Sequence, residues 1–220
     1  MELHSDFTKR IVVRVEDYNW VDSPMPGVQR MMLDRIGDEV ARATSIVQYR
    51  PHSSFNSHIH IGGEEFFVLD GVFEDEHGTY PKGTYVRNPI GTSHTPTMGA
   101  QGATIFVKLC QFDPLDHEKK SIDTVNVDWR PGVVAGLEVL PLHSFNGENV
   151  ALVKWAPNTI FQSHQHWGGE EIIVLEGVLH DEYGSYAEGT WLRNPHLSSH
   201  TPYVKEEGAT ILVKTGHLPE

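Results

Sequence analysis

Apolar residues come in short runs along this chain, and Gly, Pro, Asn and Asp separate them. In Arg10-Ile11-Val12-Val13-Arg14-Val15, Val13 and Val15 fall on one face and Arg14 on the other, the period-two alternation of a strand. Further strands are predicted at 46–49, 55–60, 65–69, 84–87 and 104–108. Asp70-Gly71 and Gly78 mark tight turns, and Pro51 stops a sheet ladder. The series then returns at 150–155, 161–166, 171–175, 190–193 and 210–214, with turns at Glu176-Gly177 and Gly184 and a stop at Pro157. No long run carries the 3.6-residue apolar period of an amphipathic helix. The pattern predicts an all-β protein of many short strands, arranged as two small barrels or sandwiches.

The 220 residues therefore divide in two, with a constant offset of 106 between matched positions. Residues 1–9 read as a loose polar arm and 10–112 as the first domain. Residues 113–120, charged and carrying Pro114, read as a linker, and 121–220 as the second domain. Residues 125–129 read as a weaker counterpart of the first strand. Pro26-Gly27-Val28 and Pro131-Gly132-Val133 suggest where the repeats begin, one residue out of step with the rest, which implies a difference in loop length.

The net charge of −13 would repel phosphate backbones and anionic lipid headgroups, so neither nucleic acid nor a membrane surface is expected as a partner. Cys110 is the only cysteine, so no intramolecular disulfide or thiolate cluster can form, which fits a reducing compartment. It ends an apolar run and reads as a core or sub-surface residue rather than a nucleophile. The N-terminus lacks a basic start followed by an apolar core, and no stretch is long enough to span a bilayer, so the chain reads as cytoplasmic.

The chemistry concentrates in Ser57-His58-Ile59-His60-Ile61-Gly62-Gly63-Glu64-Glu65, with His94 further on, and returns in Ser163-His164-Gln165-His166-Trp167-Gly168-Gly169-Glu170-Glu171, with His200. Residues two apart on a strand share a face, so His58 and His60 project together. The paired glycines allow a sharp turn that brings a carboxylate back to the same point. Three imidazoles and a carboxylate suit Zn²⁺, Fe²⁺, Mn²⁺ or Ni²⁺. The metal ligands read as His58, His60, Glu64 and His94, and as His164, His166, Glu170 and His200. Glu65 and Glu171 face the other way; they pair with Arg87 and Arg193, or all four are independent solvated charges. The histidines at 52, 77, 117, 143, 180, 196 and 217 have no counterpart in the other repeat and read as surface residues. Trp155, Trp167 and Trp191 read as core filling, although a Trp167 lining the second cavity would make the two sites differ.

His58-x-His60-x3-Glu64-x6-Gly71 resembles the first cupin motif, and 164–177 repeats it; Pro89-x-Gly91-x-x-His94 resembles the second, with Leu197 where the first copy has Gly91. The spacing to Gly71 is what selects Glu64 over Glu65. The phrases at 60–65, 68–72, 75–80, 87–89 and 93–96, repeated 106 residues later, resemble the ChrR cupin-like family. The resemblance implies two tandem cupin barrels (a bicupin), zinc as the first-choice metal, and a link to singlet-oxygen stress and transcription regulation. The anti-sigma activity of that family's namesake belongs to a helical zinc domain with a His-x3-Cys-x2-Cys motif. Only the short arm precedes the first repeat here, so direct inhibition of a sigma factor is not expected. Two readings follow: a metal-binding sensor or small-ligand-binding protein, or an Fe²⁺-dependent dioxygenase acting on a dicarbonyl or hydroxyketone. A homodimer formed by exchange of the N-terminal strand is a further expectation.

Overall fold

The computed structural model describes residues 1–219, and among them the only helical segment is the 3-10 turn Val15–Asp17. No helix is long and apolar enough to cross a membrane. The chain forms two compact units, one of Met1–Ser5 with Asn19–Val127, the other of Asp6–Tyr18 with the residues from Asp128 onward.

In the first unit the main sheet runs in the order Val28–Gly37, Ala41–Tyr49, Ala103–Leu109, Glu64–Asp75, Thr84–Asn88 and Lys120–Asp123, every pair antiparallel. A two-stranded ladder, His58–Ile59 with Ser93–His94, sets His94 directly opposite His58. The core alternates as a half-buried strand must: Phe66 and Val68 join Phe73, Val86, Ile105 and Val107 inside. The second unit repeats the plan with Leu137–Phe145, Glu148–Trp155, Tyr203–Thr215, Glu170–Asp181, Trp191–Asn194 and Ile11–Val13. Its ladder, His164–Gln165 with Ser199–His200, pairs His164 with His200.

The units cut across the boundaries read from the sequence. Residues 10–18 lie with the second unit, where Val13 is 5% exposed and pairs with Trp191, Val12 with Leu192 and Ile11 with Arg193. The strand stops at Val13, and Val15 enters the 3-10 turn half-exposed. The equivalent edge strand of the first unit is Lys120–Asp123, which begins inside the stretch read as linker; residues 125–129 form no strand. The arm is also tied down. Glu2–Leu3 pairs with Val28–Gly37, and the terminal amine meets Asp38 at 2.9 Å.

Pairing also corrects the alignment of the Pro-Gly-Val segments. Val28 lies opposite Tyr49, and Leu137 opposite Trp155, so the offset before the first hairpin is 109 rather than 105. The hairpin absorbs the difference. Residues 37–41 lie between Ile36 and Arg42, whereas only Asn146 and Gly147, both at positive φ, join Phe145 to Glu148. Of the tryptophans, Trp155 and Trp191 fill the core, but Trp167 is 68% exposed. Of the histidines read as surface residues, two are buried and a third, His217, is half-buried. His143 is 4% exposed, and His180 stacks on Tyr203 and meets Ser185. His217 pairs with Glu171.

Candidate metal centres

Each cluster is assembled from three places in its own unit. The two-stranded ladder supplies the first and third histidines, the end of that ladder the second, and the start of the long strand the carboxylate. Gly63 sits at φ 78°, and a Cβ there would lie 2.3 Å from the Phe112 ring, so only glycine both turns the chain and admits that packing. Ile59 and Ile61 point outward, both more than half exposed, while His60 and Glu64 are buried. Leu197, in the place of Gly91, holds the same left-handed turn at φ 59°, a costly conformation for a γ-branched residue. Both turns keep the backbone bond to the preceding histidine, Gly91 N–H to the His60 carbonyl and Leu197 N–H to the His166 carbonyl, each 2.9 Å.

The structure brings His58, His60, Glu64 and His94 together, and likewise His164, His166, Glu170 and His200. In each set the candidate ligand atoms all lie within 4.8 Å of one another. In the first, His60 Nε2 is 3.3 Å and His94 Nε2 3.5 Å from Glu64 Oε2, and the Nε2 atoms of His58 and His94 are 3.2 Å apart.

The outer nitrogens fix the tautomers. His58 Nδ1 faces the Asn56 carbonyl at 2.9 Å, which can only accept, so Nδ1 carries the hydrogen. Thr92 donates its hydroxyl hydrogen to the Pro89 carbonyl and so accepts from His60 Nδ1 at 3.0 Å. His94 Nδ1 donates to Asp75 at 3.0 Å. The second cluster repeats every partner type: the Gln162 carbonyl, Ser198 (itself bonded to the Pro195 carbonyl) and Asp181. Asn88 and Asn194 donate to Glu64 and Glu170 at 3.0 and 2.8 Å.

With the imidazoles neutral, three bare Nε2 lone pairs and a carboxylate therefore converge with no donor among them. Buried His60, His166 and His200 Nε2 atoms find no hydrogen-bond partner. Such a gathering of lone pairs is repulsive without a cation, and outer-shell bonds that fix the tautomer are how metal-binding histidines are oriented. The donor set fits a divalent ion.

The carboxylate next door does other work. Glu65 points away from the histidines and accepts from Arg87 at 2.8 Å and from Tyr85 at 2.8 Å. Arg87 also reaches Asp116 and lies over the Phe112 ring. Glu171 accepts from the Trp191 indole at 3.1 Å and meets His217. Arg193 donates to the Asp6 carbonyl and lies over Phe7.

The residues that hold the ligands were not singled out from the sequence. Asp75, Asn88 and Thr92 return as Asp181, Asn194 and Ser198 at the common offset, a signal that marks them in retrospect. Arg10 has no such signal, yet it bonds both Asp181 and Asn194, at 2.7 and 2.8 Å, and so braces the groups behind His200 and Glu170.

Burial pushes His60 and His166 down to about 4 in the metal-free protein, so both are neutral at pH 7. It lowers His164 as well. Burial also opposes a charge on His94, but Asp75 and Glu64 outweigh it and raise that imidazole above its ordinary value. Between pH 6.5 and about 4 the unfolded chain takes up protons that folded His60 and His166 refuse, so metal-free stability falls as pH falls through that window. Each imidazole accounts for roughly 3 kcal/mol at most. The raised His94 works the other way, contributing stability at low pH that fades as pH rises. The stability of the second unit, where His164 is also lowered, should therefore fall more steeply with acid than that of the first. Denaturant melts of metal-free protein from pH 7 to 4 check this, and a flat stability profile would refute it.

Two barrels of this topology, each with an inward three-histidine and one-glutamate cluster, define a bicupin. The ChrR cupin-like domain model matches residues 8–113 and again 117–219. The chain belongs to the ChrR cupin-like domain family. Solved structures share the fold at low identity. A protein of Nostoc punctiforme described as a candidate dioxygenase is 17% identical with a TM-score of 0.77, over 97% of this chain and 85% of its own. Ylba of Escherichia coli is 14% identical with a TM-score of 0.71, over 98% and 94%. A mutant of the oxalate decarboxylase OxdC of Bacillus subtilis is 12% identical with a TM-score of 0.67, over 93% and 76%. No curated protein matches the sequence.

Proposed function

We propose that this protein binds one divalent metal ion, zinc in the first instance, in each cupin barrel, and acts as a sensor or small-ligand-binding protein. The observation that carries the reading is the convergence of three bare imidazole nitrogens on a buried carboxylate, with every outer nitrogen engaged, in both units. His58, His60, Glu64 and His94 would hold one ion, and His164, His166, Glu170 and His200 the other. A bound zinc supplies a Lewis-acidic centre for an oxygen-bearing ligand. As a sensor the protein would report metal or ligand occupancy to a partner, in stress-linked transcription regulation if it shares the role that the resemblance implies.

A second reading is an Fe²⁺-dependent dioxygenase for a dicarbonyl or hydroxyketone. One observation favours it: His164, Glu170 and His200 border a cavity of about 440 Å³ inside the second barrel, so a small molecule there would meet the metal cluster. The fold relatives described as a candidate dioxygenase and an oxalate decarboxylase are consistent with chemistry at such sites. Elemental analysis of the purified protein separates the readings. About two zinc ions per chain and no oxygen uptake by the iron-loaded form support the sensor; iron with oxygen consumption on a β-dicarbonyl supports the enzyme. A metal content near zero under non-chelating conditions would sink both.

A further inference from the structure

The two barrels carry the same ligand sets but different interiors. In the second unit the 440 Å³ cavity falls within the range of small-molecule sites, about 300–1,000 Å³. It runs from His164, Glu170 and His200 into a space walled by Val139, Pro141, Ile172, Leu179 and Thr215, with Trp155 beside them. Strand pairing identifies what stands at those places in the first unit. Val139 faces Val153 as Arg30 faces Val47, and Pro141 faces Ala151 as Met32 faces Ser45. Ile172, Leu179 and Thr215 correspond in the same way to Phe66, Phe73 and Leu109. At all five places the side chain of the first barrel is larger, while Trp155 is matched by the smaller Tyr49.

The aromatic ones pack against one another and against the cluster. Phe66 and Phe73 pack with ring centroids 4.7 Å apart, Tyr49 meets Phe73 at 5.5 Å, and Phe73 lies 5.8 Å from His94. The Arg30 Nε is buried, and its guanidinium reaches Glu39 at 3.4 Å. An aromatic cluster and a cation thus occupy the positions that in the second barrel are aliphatic and leave room beside the ligands.

We propose that the second barrel, not the first, is the ligand-binding barrel. Its ligand would have an apolar body lying against Val139, Ile172 and Leu179, and one oxygen-bearing head at the His164–Glu170–His200 end. This rests on the reading that the cluster binds a divalent ion, and it adds the ligand class and the division of labour between barrels. The first cluster is then a structural site, its interior closed by its own side chains.

The test is a titration of zinc-loaded protein with straight-chain carboxylates from acetate to decanoate, followed by calorimetry. Each added methylene should tighten binding about fourfold until the cavity is full, with one site per chain. The paired change Ile172→Phe and Leu179→Phe installs side chains that the first barrel already accommodates. It should flatten the series while leaving the metal content unchanged. If that variant does not fold, Thr215→Leu, which narrows the cavity next to the cluster, should weaken the longer members by at least tenfold. A flat series on protein shown to hold both metal ions overturns the inference alone. A chain-length gain that persists undiminished in metal-free protein overturns the head-group assignment and the metal reading beneath it. Two equivalent sites per chain would overturn the division between barrels.

Discussion

Replacing His166 by alanine is expected to leave one divalent ion per chain instead of two, and His60→Ala should do the same at the other cluster. The double variant should bind none. Each unit supplies all four of its own candidate ligands, so the losses should be independent. Removal of a direct ligand should cost more than the 10–100-fold typical of an outer-shell partner, whereas Thr92→Val should fall within that lower range. Loss of saturating metal also removes its mass-action contribution, about 4 kcal/mol at a concentration 1,000 times the dissociation constant. Without metal the signs should reverse. His60→Ala deletes one of the lone pairs facing Glu64, so the metal-free variant should melt no lower than the metal-free parent once its small cavity is allowed for. Elemental analysis with melts in both states reads this out, and a double variant that still holds about two ions would refute the assignment.

Arg87→Met should destabilise the first unit by about 3–5 kcal/mol. The guanidinium is 1% exposed and is bonded to two carboxylates, those of Glu65 and Asp116, each nearly as buried. Burial alone would favour loss of its charge, but Glu65 and Asp116 outweigh that and keep it protonated. Methionine leaves both carboxylates in low dielectric without their cation. The further change Glu65→Gln should recover part of the loss, because one stranded charge is gone. Metal content of the folded fraction should not change, since Glu65 points away from the cluster. Denaturant melts resolve the effect, and a loss below about 1 kcal/mol would mean that water already screens the network.

The candidate site was legible because its chemistry is local and repeated. His58, His60 and Glu64 sit within one turn of chain, and the offset of 106 carried His94 and the whole second set with them. Gly71 separated Glu64 from Glu65 by counting, and the structure places the two on opposite sides of the strand. What stayed hidden depends on distant pairing. Nothing near Ile11 says that its partner is Arg193, because edge-strand hydrogen bonds are made by backbone and leave little mark on side chains. His143, His180 and His217 looked solitary because burial of a polar ring depends on a remote partner, such as Ser185, Tyr203 or Glu171. The shift to an offset of 109 was masked because an extended alternating segment looks plausible in several registers.

The crossing of residues 6–18 into the second unit has a practical meaning for anyone dividing the gene. A fragment beginning at residue 121 would lack Ile11–Val13, exposing the edge at Trp191–Asn194, and would lose Arg10 behind His200. A fragment ending before residue 120 would likewise lose Lys120–Asp123 from Thr84–Asn88. Neither half-gene encodes a complete barrel, and unpaired sheet edges invite aggregation. A faithful single-barrel protein calls for a chain in which residues 19–127 are removed and residues 6–18 are joined, through a flexible linker, to the segment that starts at Asp128.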